Sequence, residues 1–220
     1  GKEHPKKFLA DWTGYLHTDG YAGYHSLPSE ITVVGCWAHA RRKFDEALKS
    51  TPKQERPDSG AAIGKRYCDK LFAIEKRLTD LSPEDRYNIR REQAQPVLDE
   101  FLAWLKSQEP RLTQNAFGKA VRYTLDQWKF LRRYLLDGRL EISNNRAERS
   151  IKPFVIDRKN FLFANTPRGA KASAIMFSII ETAKENGLNP FDYLVWAFLA
   201  ASSVKPFDSY LPLVPACCQV

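Results

Sequence analysis

The sequence predicts an α/β fold that is predominantly helical by residue count. Two short segments supply the β component: residues 14–18 are aromatic-rich and half alternating, and residues 31–37 form a β-branched apolar run. Between residues 63 and 135 apolar side chains instead recur at helical spacing, with no strand pattern. We therefore expect a large all-helical insertion within a mixed α/β core.

Composition limits what the protein can be. Of the 220 residues, 43% are hydrophobic and 12% aromatic, which supports a sizeable core and argues against intrinsic disorder. No apolar run approaches the ~18 residues of a membrane helix, no signal-peptide core is visible, and four cysteines do not make a disulfide scaffold. These absences predict a cytoplasmic protein without a membrane partner. The formal net charge of +8 favours an anionic partner such as nucleic acid.

The first fifty residues read as the mixed α/β part. The strand 14–18 runs into Asp19-Gly20, which is a turn signal, and a short helix is predicted from Tyr21 to Leu27. The strand 31–37 is continuous enough to be covered on both faces, and a helix is expected from Ala38 to about Lys49.

Residues 51–138 are predicted to be the helical insertion. A polar, proline-containing loop opens it, and Asp137-Gly138 ends its last helix. Pro96 is expected to interrupt or kink the second helix. The three apolar stripes, which should pack on each other, are Ile63, Tyr67, Leu71, Ile74, Leu78 and Leu81; Ala94, Leu98, Phe101 and Leu105; and Phe117, Val121, Leu125, Trp128, Leu131 and Leu135.

Residues 139–203 are predicted to return to the core. A helix should begin near Asn145 and end or kink at Pro153, and a strongly apolar helix should end at Gly187. Asn189-Pro190 is a start signal for a final helix. Phe161-Leu162-Phe163 forms a short apolar stretch, and residues 204–220 are expected to be an extended tail.

Asp19 is the first candidate for chemistry. It directly follows a predicted strand, and a carboxylate at the carboxyl end of a strand in an open sheet faces the crevice where ligands bind. The alternative is that Asp19-Gly20 is only a turn. Local sequence leaves both interpretations open.

Glu148 is the second candidate. In one interpretation Asn145 caps a helix and Glu148 is the reciprocal partner of a capping box. That interpretation does not explain the arginines around the carboxylate. A carboxylate among cations and amides suits a hard divalent ion held beside a phosphodiester group.

Basic residues gather in two places, at residues 41–43 and in residues 139–171, where eight basic residues accompany three acidic ones. Either cluster alone could be a solvated face, but together, each near a candidate carboxylate, they favour phosphate binding. The residues predicted to contact DNA are Arg41, Arg42, Lys43, Asn144, Asn145, Arg146, Arg149, Lys152, Arg158 and Lys159.

Other site types have little support. Cys36 and His39 have half of the spacing of a zinc site, but no second pair appears at matching spacing. A buried cysteine and a helix-start histidine are the simpler interpretation. The sequence also has no Walker loop and no nucleophile elbow.

Three motifs, in this order and spacing, resemble the insertion-sequence-66 family of bacterial transposases. They are Thr18-Asp19-Gly20-Tyr21-Ala22-Gly23-Tyr24, Gly35-Cys36-Trp37-Ala38-His39-Ala40-Arg41-Arg42-Lys43-Phe44 and Ser143-Asn144-Asn145-Arg146-Ala147-Glu148-Arg149. Ile151-Lys152-Pro153, Arg158-Lys159-Asn160, Asn165-Thr166-Pro167-Arg168-Gly169-Ala170 and Glu181-Thr182-Ala183 continue the match. The resemblance covers about residues 5–213, and the ending Leu213–Cys218 departs from it.

This resemblance implies a partial ribonuclease-H-like fold and an Asp-Asp-Glu triad that binds two Mg²⁺ (or Mn²⁺) ions to cut and join DNA. By that comparison Asp19 matches the second Asp and Glu148 matches the Glu, both as catalytic residues and as metal ligands. The first Asp is expected upstream of Gly1, so the chain resembles a C-terminal portion that binds DNA without cutting it alone.

The resemblance further implies double-stranded DNA, at transposon ends and target, as the partner. A homo-oligomer on that DNA and association with the bacterial nucleoid are implied as well. Two alternatives remain from other classes: a non-enzymatic DNA-binding remnant, and a helical protein–protein module.

Overall fold

The computed structural model describes residues 3–10, 12–160 and 166–202. The chain divides into two compact units, Gly1–Asn145 and Arg146–Val220. Both are built mainly of helices, so the predominantly helical composition is confirmed. The predicted boundaries at residues 50 and 138 stay predictions.

The first unit contains both strands. In chain order its elements are α1 (Glu3–Phe8), β1 (Gly14–Thr18), β2 (Ile31–Gly35), α2 (Trp37–Lys49), α3 (Gly60–Arg77), α4 (Pro83–Ile89), α5 (Gln95–Gln108) and α6 (Ala116–Leu131). A π-helical turn, Arg90–Ala94, joins α4 to α5, and a 3₁₀ turn, Arg132–Leu136, follows α6. The segment 51–138, all of which the structure describes, contains no strand.

The strands β1 and β2 pair in parallel, in a register that runs from Gly14 opposite Ile31 to Thr18 opposite Gly35. Their carboxyl ends therefore lie at the same edge of the sheet. The helix α6 crosses close to this edge, since a Cβ at Gly35 would lie 3.0 Å from the backbone nitrogen of Leu131. Glycine at position 35 thus allows α6 to approach β2.

The core of this unit is an aromatic cluster between α2, α3, α5 and α6. Phe101 is fully buried at its centre, and its ring contacts the rings of Trp37, Phe44, Tyr67, Trp104 and Trp128. Two of the predicted stripes meet here through Leu71 and Leu98, and Leu125 of the third packs against the cluster. The aromatic cluster therefore packs α3, α5 and α6 with α2, the helix that follows β2.

Pro96 occupies a different position from the predicted break. It lies in the first turn of α5, immediately after the π-helical turn. The hydrogen bonding there is already shifted by the π-helical turn, in which the Gln95 N–H donates to the Arg90 carbonyl five residues back, and the proline follows without an N–H of its own. The helix irregularity that the sequence predicts at Pro96 is thus the π-helical turn, which lies a few residues earlier.

The second unit carries α7 (Asn145–Asn160), α8 (Pro167–Glu185) and α9 (Pro190–Ser202). The first of these helices was predicted to end or kink at Pro153; it does not end there, because α7 continues to Asn160, and the kink stays a prediction. Proline removes only one hydrogen bond, and beyond it Phe154 packs edge-on against Phe177 of α8 at 5.4 Å. This contact favours continuation of the helix.

The predicted helix signals of this unit are present. Gly187 adopts a left-handed φ of +69° and ends α8, where the Leu188 N–H donates to the Ala183 carbonyl at 2.9 Å. The Asn189 Oδ1 accepts a hydrogen bond from the Phe191 N–H at 2.9 Å, directly before the first residue of α9. The apolar stretch 161–163 and the tail 204–220 lie outside the described residues. No helix in the described part of the chain is both long and apolar enough to cross a membrane.

Candidate active site

Asp19 lies immediately after β1, at the edge where both strands end. Its side chain is exposed, and its Oδ1 accepts a hydrogen bond from the Tyr21 N–H at 3.0 Å. Gly20 adopts a φ of +86°, which favours glycine, so the residues form a tight turn. The turn interpretation and the strand-end carboxylate are therefore compatible.

Tyr123 of α6 holds this turn through a hydrogen bond. Its hydroxyl donates to the Asp19 carbonyl at 3.2 Å. Burial raises the pKa of Tyr123 to about 12, with smaller contributions from Cys36 and Asp19, so this hydroxyl remains a donor at neutral pH. Lys43 of α2 places its Nζ 6.0 Å from the centre of the Tyr123 ring. One of the predicted DNA-binding cations therefore lies beside the same tyrosine that holds Asp19.

The segment that leads to Asn144 and Asn145 is fixed by three consecutive backbone carbonyls. These hydrogen bonds join Leu140 O to Arg90 Nη2 (2.7 Å), Glu141 O to His17 Nε2 (2.8 Å) and Ile142 O to the Trp37 N–H (3.1 Å). The three donors belong to the π-helical turn, to β1 and to the start of α2. The strand that ends at Asp19 is thus tied directly to the segment that precedes α7.

Arg90 is a residue that the sequence analysis missed. Its side chain is fully buried and uses all five of its donors, which bind both carboxylate oxygens of Glu75 (2.8 and 2.6 Å) and the carbonyls of Tyr134, Asp137 and Leu140 (3.0, 3.0 and 2.7 Å). The sequence does contain an indication of this role, because residue 90 lies at helical spacing from the apolar residues Ala94 and Leu98. An arginine in register with an apolar stripe indicates a buried, paired guanidinium.

α7 begins at Asn145, so Asn145 is the first residue of the helix and not the N-cap that the sequence predicts. The N-cap position falls on Asn144, whose Oδ1 is buried without a hydrogen-bond partner. Glu148 lies in the first turn of α7, in the second unit. The predicted shared site of Asp19 and Glu148, with carboxylates on the order of 10 Å apart or less, stays a prediction.

The cations of α2 differ in their surroundings. Arg41 donates to Asp69 Oδ1 at 2.5 Å, and Lys65 donates to Oδ2 at 2.9 Å. Burial raises the pKa of Asp69, but these two hydrogen bonds outweigh it and lower the pKa overall. Arg42 and Lys43 are exposed. Arg42 and Lys43 therefore present more of their charge to solvent than Arg41 does.

The cations of α7 lie in the second unit. Arg146 donates to Glu185 of α8 at 2.5 Å, and this bond lowers the pKa of the Glu185 carboxyl, with help from Ser150. Arg149 and Lys152 are exposed. The side chains of Arg158 and Lys159, which were also predicted to bind DNA, lie outside the described residues.

A divalent ion would find oxygen ligands of the kind it prefers. Asp19 supplies a carboxylate, and the neighbouring Thr18 Oγ1 is a buried oxygen without a hydrogen-bond partner, as is Asn144 Oδ1. Mg²⁺ binds such hard oxygen donors and needs few from the protein when water and phosphate complete its shell. Among the described residues there is no group of three or more His, Cys, Asp or Glu side chains placed so that they could hold a metal ion together. The oxygen donors at Asp19 are thus of the type that Mg²⁺ prefers, and a metal ion bound there stays a prediction.

His17 provides a pH-dependent test of this part of the site. Because a carbonyl only accepts, its bond to Glu141 places the proton on Nε2, and Nδ1 is buried without a partner. Burial lowers the pKa of His17, although the Glu141 carbonyl and charge oppose the change. The unfolded chain therefore takes up a proton near the ordinary pKa of ~6.5 that the folded chain resists.

We expect the free energy of unfolding to fall as the pH drops below about 6.5, toward the lowered pKa of folded His17. Urea unfolding at neutral and mildly acidic pH measures this. His17→Gln keeps an N–H donor without a titrating ring, so it should reduce the difference between the two pH values. An unchanged difference in His17→Gln would assign the pH dependence to other groups.

The model of the family described as Transposase IS66 family matches residues 1–172, a range that includes Asp19, the anchored segment 140–145 and Glu148. This chain belongs to the IS66 transposase family. The family expectation drawn from the three motifs is thereby confirmed.

Curated relatives of this IS66-family chain come from Sinorhizobium fredii (strain NBRC 101917 / NGR234). "Uncharacterized protein y4hP" is 34% identical over 97% of the chain and 41% of its own length, and "Uncharacterized protein y4jD" is 34% identical over 93% and 42%. "Uncharacterized protein y4qI" is 32% identical over 98% and 41%. The chain thus spans about two fifths of these relatives. No solved structure matches it.

Proposed function

We propose that this IS66-family chain forms part of a DNA transposase and supplies Asp19 and Glu148 to metal-dependent strand cleavage and strand transfer. The observation that carries the proposal is the position of Asp19 at the common carboxyl edge of two parallel strands, beside a segment anchored to β1. Ligands of open α/β sheets bind at this edge. The family motifs support the role of Glu148, and a ribonuclease-H-like core is proposed with it.

Asp19 and Glu148 would hold Mg²⁺ or Mn²⁺, and two such ions in the complete protein would activate the attacking oxygen and stabilise the leaving one. The residues of the first unit have a separate task. Tyr123 holds the Asp19 backbone, and the Arg90, His17 and Trp37 donors hold the carbonyls before Asn144. The scaffold thereby fixes Asp19 and the segment 140–142 before any substrate binds.

DNA is the proposed substrate, contacted through phosphates by the cations of α2 and α7, with the protein acting as a homo-oligomer on nucleoid DNA. The exposed side chains of Arg42 and Lys43 lie on the helix that begins at the strand edge. The overall charge of +8 supports an anionic partner. Backbone contacts of this type bind DNA largely without regard to sequence.

Binding of duplex DNA should be salt-sensitive. If Arg41, Arg42, Arg146, Arg149, Arg158 and Lys159 all contact phosphates, the log–log slope of affinity against salt should be about −5. Arg42→Ala should reduce the slope by about 1. Fluorescence anisotropy over a salt series measures both values, with Arg77→Ala of α3 as the matched control. A slope near zero would mean that the basic excess serves solubility only.

The activity itself is tested by nicking of supercoiled DNA with Mn²⁺ or Mg²⁺, with chelator added as the blank. The assay is run on the 220-residue chain and on a longer protein of the relatives' length that contains it. Divalent-dependent nicking by the longer protein supports the proposal. Salt-sensitive DNA binding without nicking by either protein would instead favour the non-enzymatic DNA-binding remnant.

A further inference from the structure

We propose that Tyr21 is a stacking platform for an unpaired DNA base beside the phosphodiester group that Asp19 serves. The inference deepens the proposed function and rests on it. It assigns to an exposed aromatic side chain a contact with the substrate that neither carboxylate can make.

The Tyr21 ring is supported on one side and open on another. Its side chain is 52% exposed, although it lies in a turn packed against the fold. Gly23 is buried beneath it, and a Cβ at position 23 would overlap the ring. Tyr24 meets the ring edge-on, with centroids 5.9 Å apart and planes at 81°. The absence of a side chain at Gly23 thus leaves the space into which the Tyr21 ring packs.

The position of this ring is coupled to Asp19. The Tyr21 N–H donates to Asp19 Oδ1, and the Asp19 carbonyl is held in turn by the Tyr123 hydroxyl. Gly20, between them, would place a Cβ only 2.9 Å from that hydroxyl, so the turn is closely packed on α6. The aromatic ring and the candidate metal ligand therefore belong to one rigid turn.

An exposed, fixed ring of this kind stacks on flat partners. The bases of an intact duplex hide their faces, whereas a base at a cleaved or frayed end offers one, and stacking on an aromatic side chain tolerates any base. Lys43 places its Nζ 6.0 Å from the centre of the Tyr123 ring and supplies a cation for the neighbouring backbone phosphate. Three groups thus lie around Tyr123: the Tyr21 ring, the Lys43 ammonium and the Asp19 carboxylate. A nucleotide at a strand end offers a base to the ring, a backbone phosphate to the cation and a phosphodiester group beside the carboxylate.

The test compares a blunt duplex with the same duplex that carries one unpaired 2-aminopurine at a 3′ end. The wild-type chain should prefer the unpaired end and quench the 2-aminopurine fluorescence. Tyr21→Ala should weaken binding of this end by about 5- to 150-fold, the range for one stacked base, and abolish the quenching. Tyr21→Phe should retain both. Tyr87→Ala on α4 is the matched aromatic control and should behave as wild type.

Gly23→Ala displaces the ring without removing it, and it should reduce both the preference and the quenching while blunt-duplex binding is kept. If the wild-type chain binds blunt duplex in a salt-dependent way but shows no preference that depends on Tyr21, the inference is overturned and the proposed function stands. If the chain binds neither DNA, the proposed function fails and the inference fails with it.

Discussion

Glu148→Gln is expected to lower metal-dependent DNA cleavage by about a thousandfold or more, which corresponds to roughly 4 kcal/mol in the activation barrier. The change removes one negative charge while it keeps the size of the side chain and its good helix propensity in the first turn of α7. DNA binding should change little, because the side chain is proposed to bind metal and not phosphate. The measurement is the nicking rate in the longer protein that contains this chain.

Asp19→Asn should produce a loss of similar size. The Asn Oδ1 can still accept the Tyr21 N–H, so the turn is preserved and only the charge is lost. Glu181→Gln, which alters a carboxylate of α8 that pairs with Lys184, is the control and should cut normally. If both substitutions at Asp19 and Glu148 leave cleavage intact, these residues are not the metal ligands and the site assignment is wrong.

Arg90→Met is expected to lower the free energy of unfolding by about 3–5 kcal/mol, the range for breaking a buried ion pair from one side. Glu75, whose side chain is only 9% exposed, would lose its close partner and keep its charge beside the longer ion pair with Arg86 at 3.9 Å. The carbonyls of Tyr134, Asp137 and Leu140 would lose their donor at the same time. Urea unfolding followed by circular dichroism measures the change.

Arg91→Met is the matched control, because Arg91 is the next residue along the same π-helical turn but is exposed, over the Tyr87 ring. It should change the free energy of unfolding by no more than about 0.5 kcal/mol, as surface substitutions usually do. A loss for Arg90→Met no larger than the loss for Arg91→Met would show that the five hydrogen bonds do not stabilise the fold. Glu75→Leu in addition to Arg90→Met should recover part of the stability.

Local patterns predicted the parts of the fold that depend on local physics. β1 matches its predicted residues 14–18, and the β-branched run gave β2, although Trp37 joins the helix. Asn189 and Gly187 act at the helix ends where their residue types predict them. Asp19 at the end of β1 followed from the strand and the turn signal together.

Other features depend on contacts between distant residues, which local patterns do not contain. The buried guanidinium of Arg90 needs the carbonyls of a segment almost fifty residues away, and the continuation of α7 past Pro153 is supported by Phe177. Arg41 was predicted to contact DNA from its place in a basic cluster, and its ion pair with Asp69 of α3 could not be read from that local pattern. The roles of Tyr123 and His17 could be found only once α6 and residue 141 were placed against β1.

The hydrogen bonds between the β2–α2 region and the end of α6 also set an order in which these elements can fold during synthesis. Trp37 Nε1 donates to the Leu131 carbonyl, and the Arg133 guanidinium donates to the Val33 carbonyl, so β2 and α2 await residues about a hundred positions later in the chain. At about 5–20 residues per second, a ribosome exposes them for roughly 5–20 s before those partners emerge. Contacts between α2 and α3 can form early, because they are near in sequence, whereas high-contact-order pairings form late. The edge that carries Asp19 is therefore completed only after residues 131–142 have emerged, and until then β2 is a segment that chaperones would have to protect.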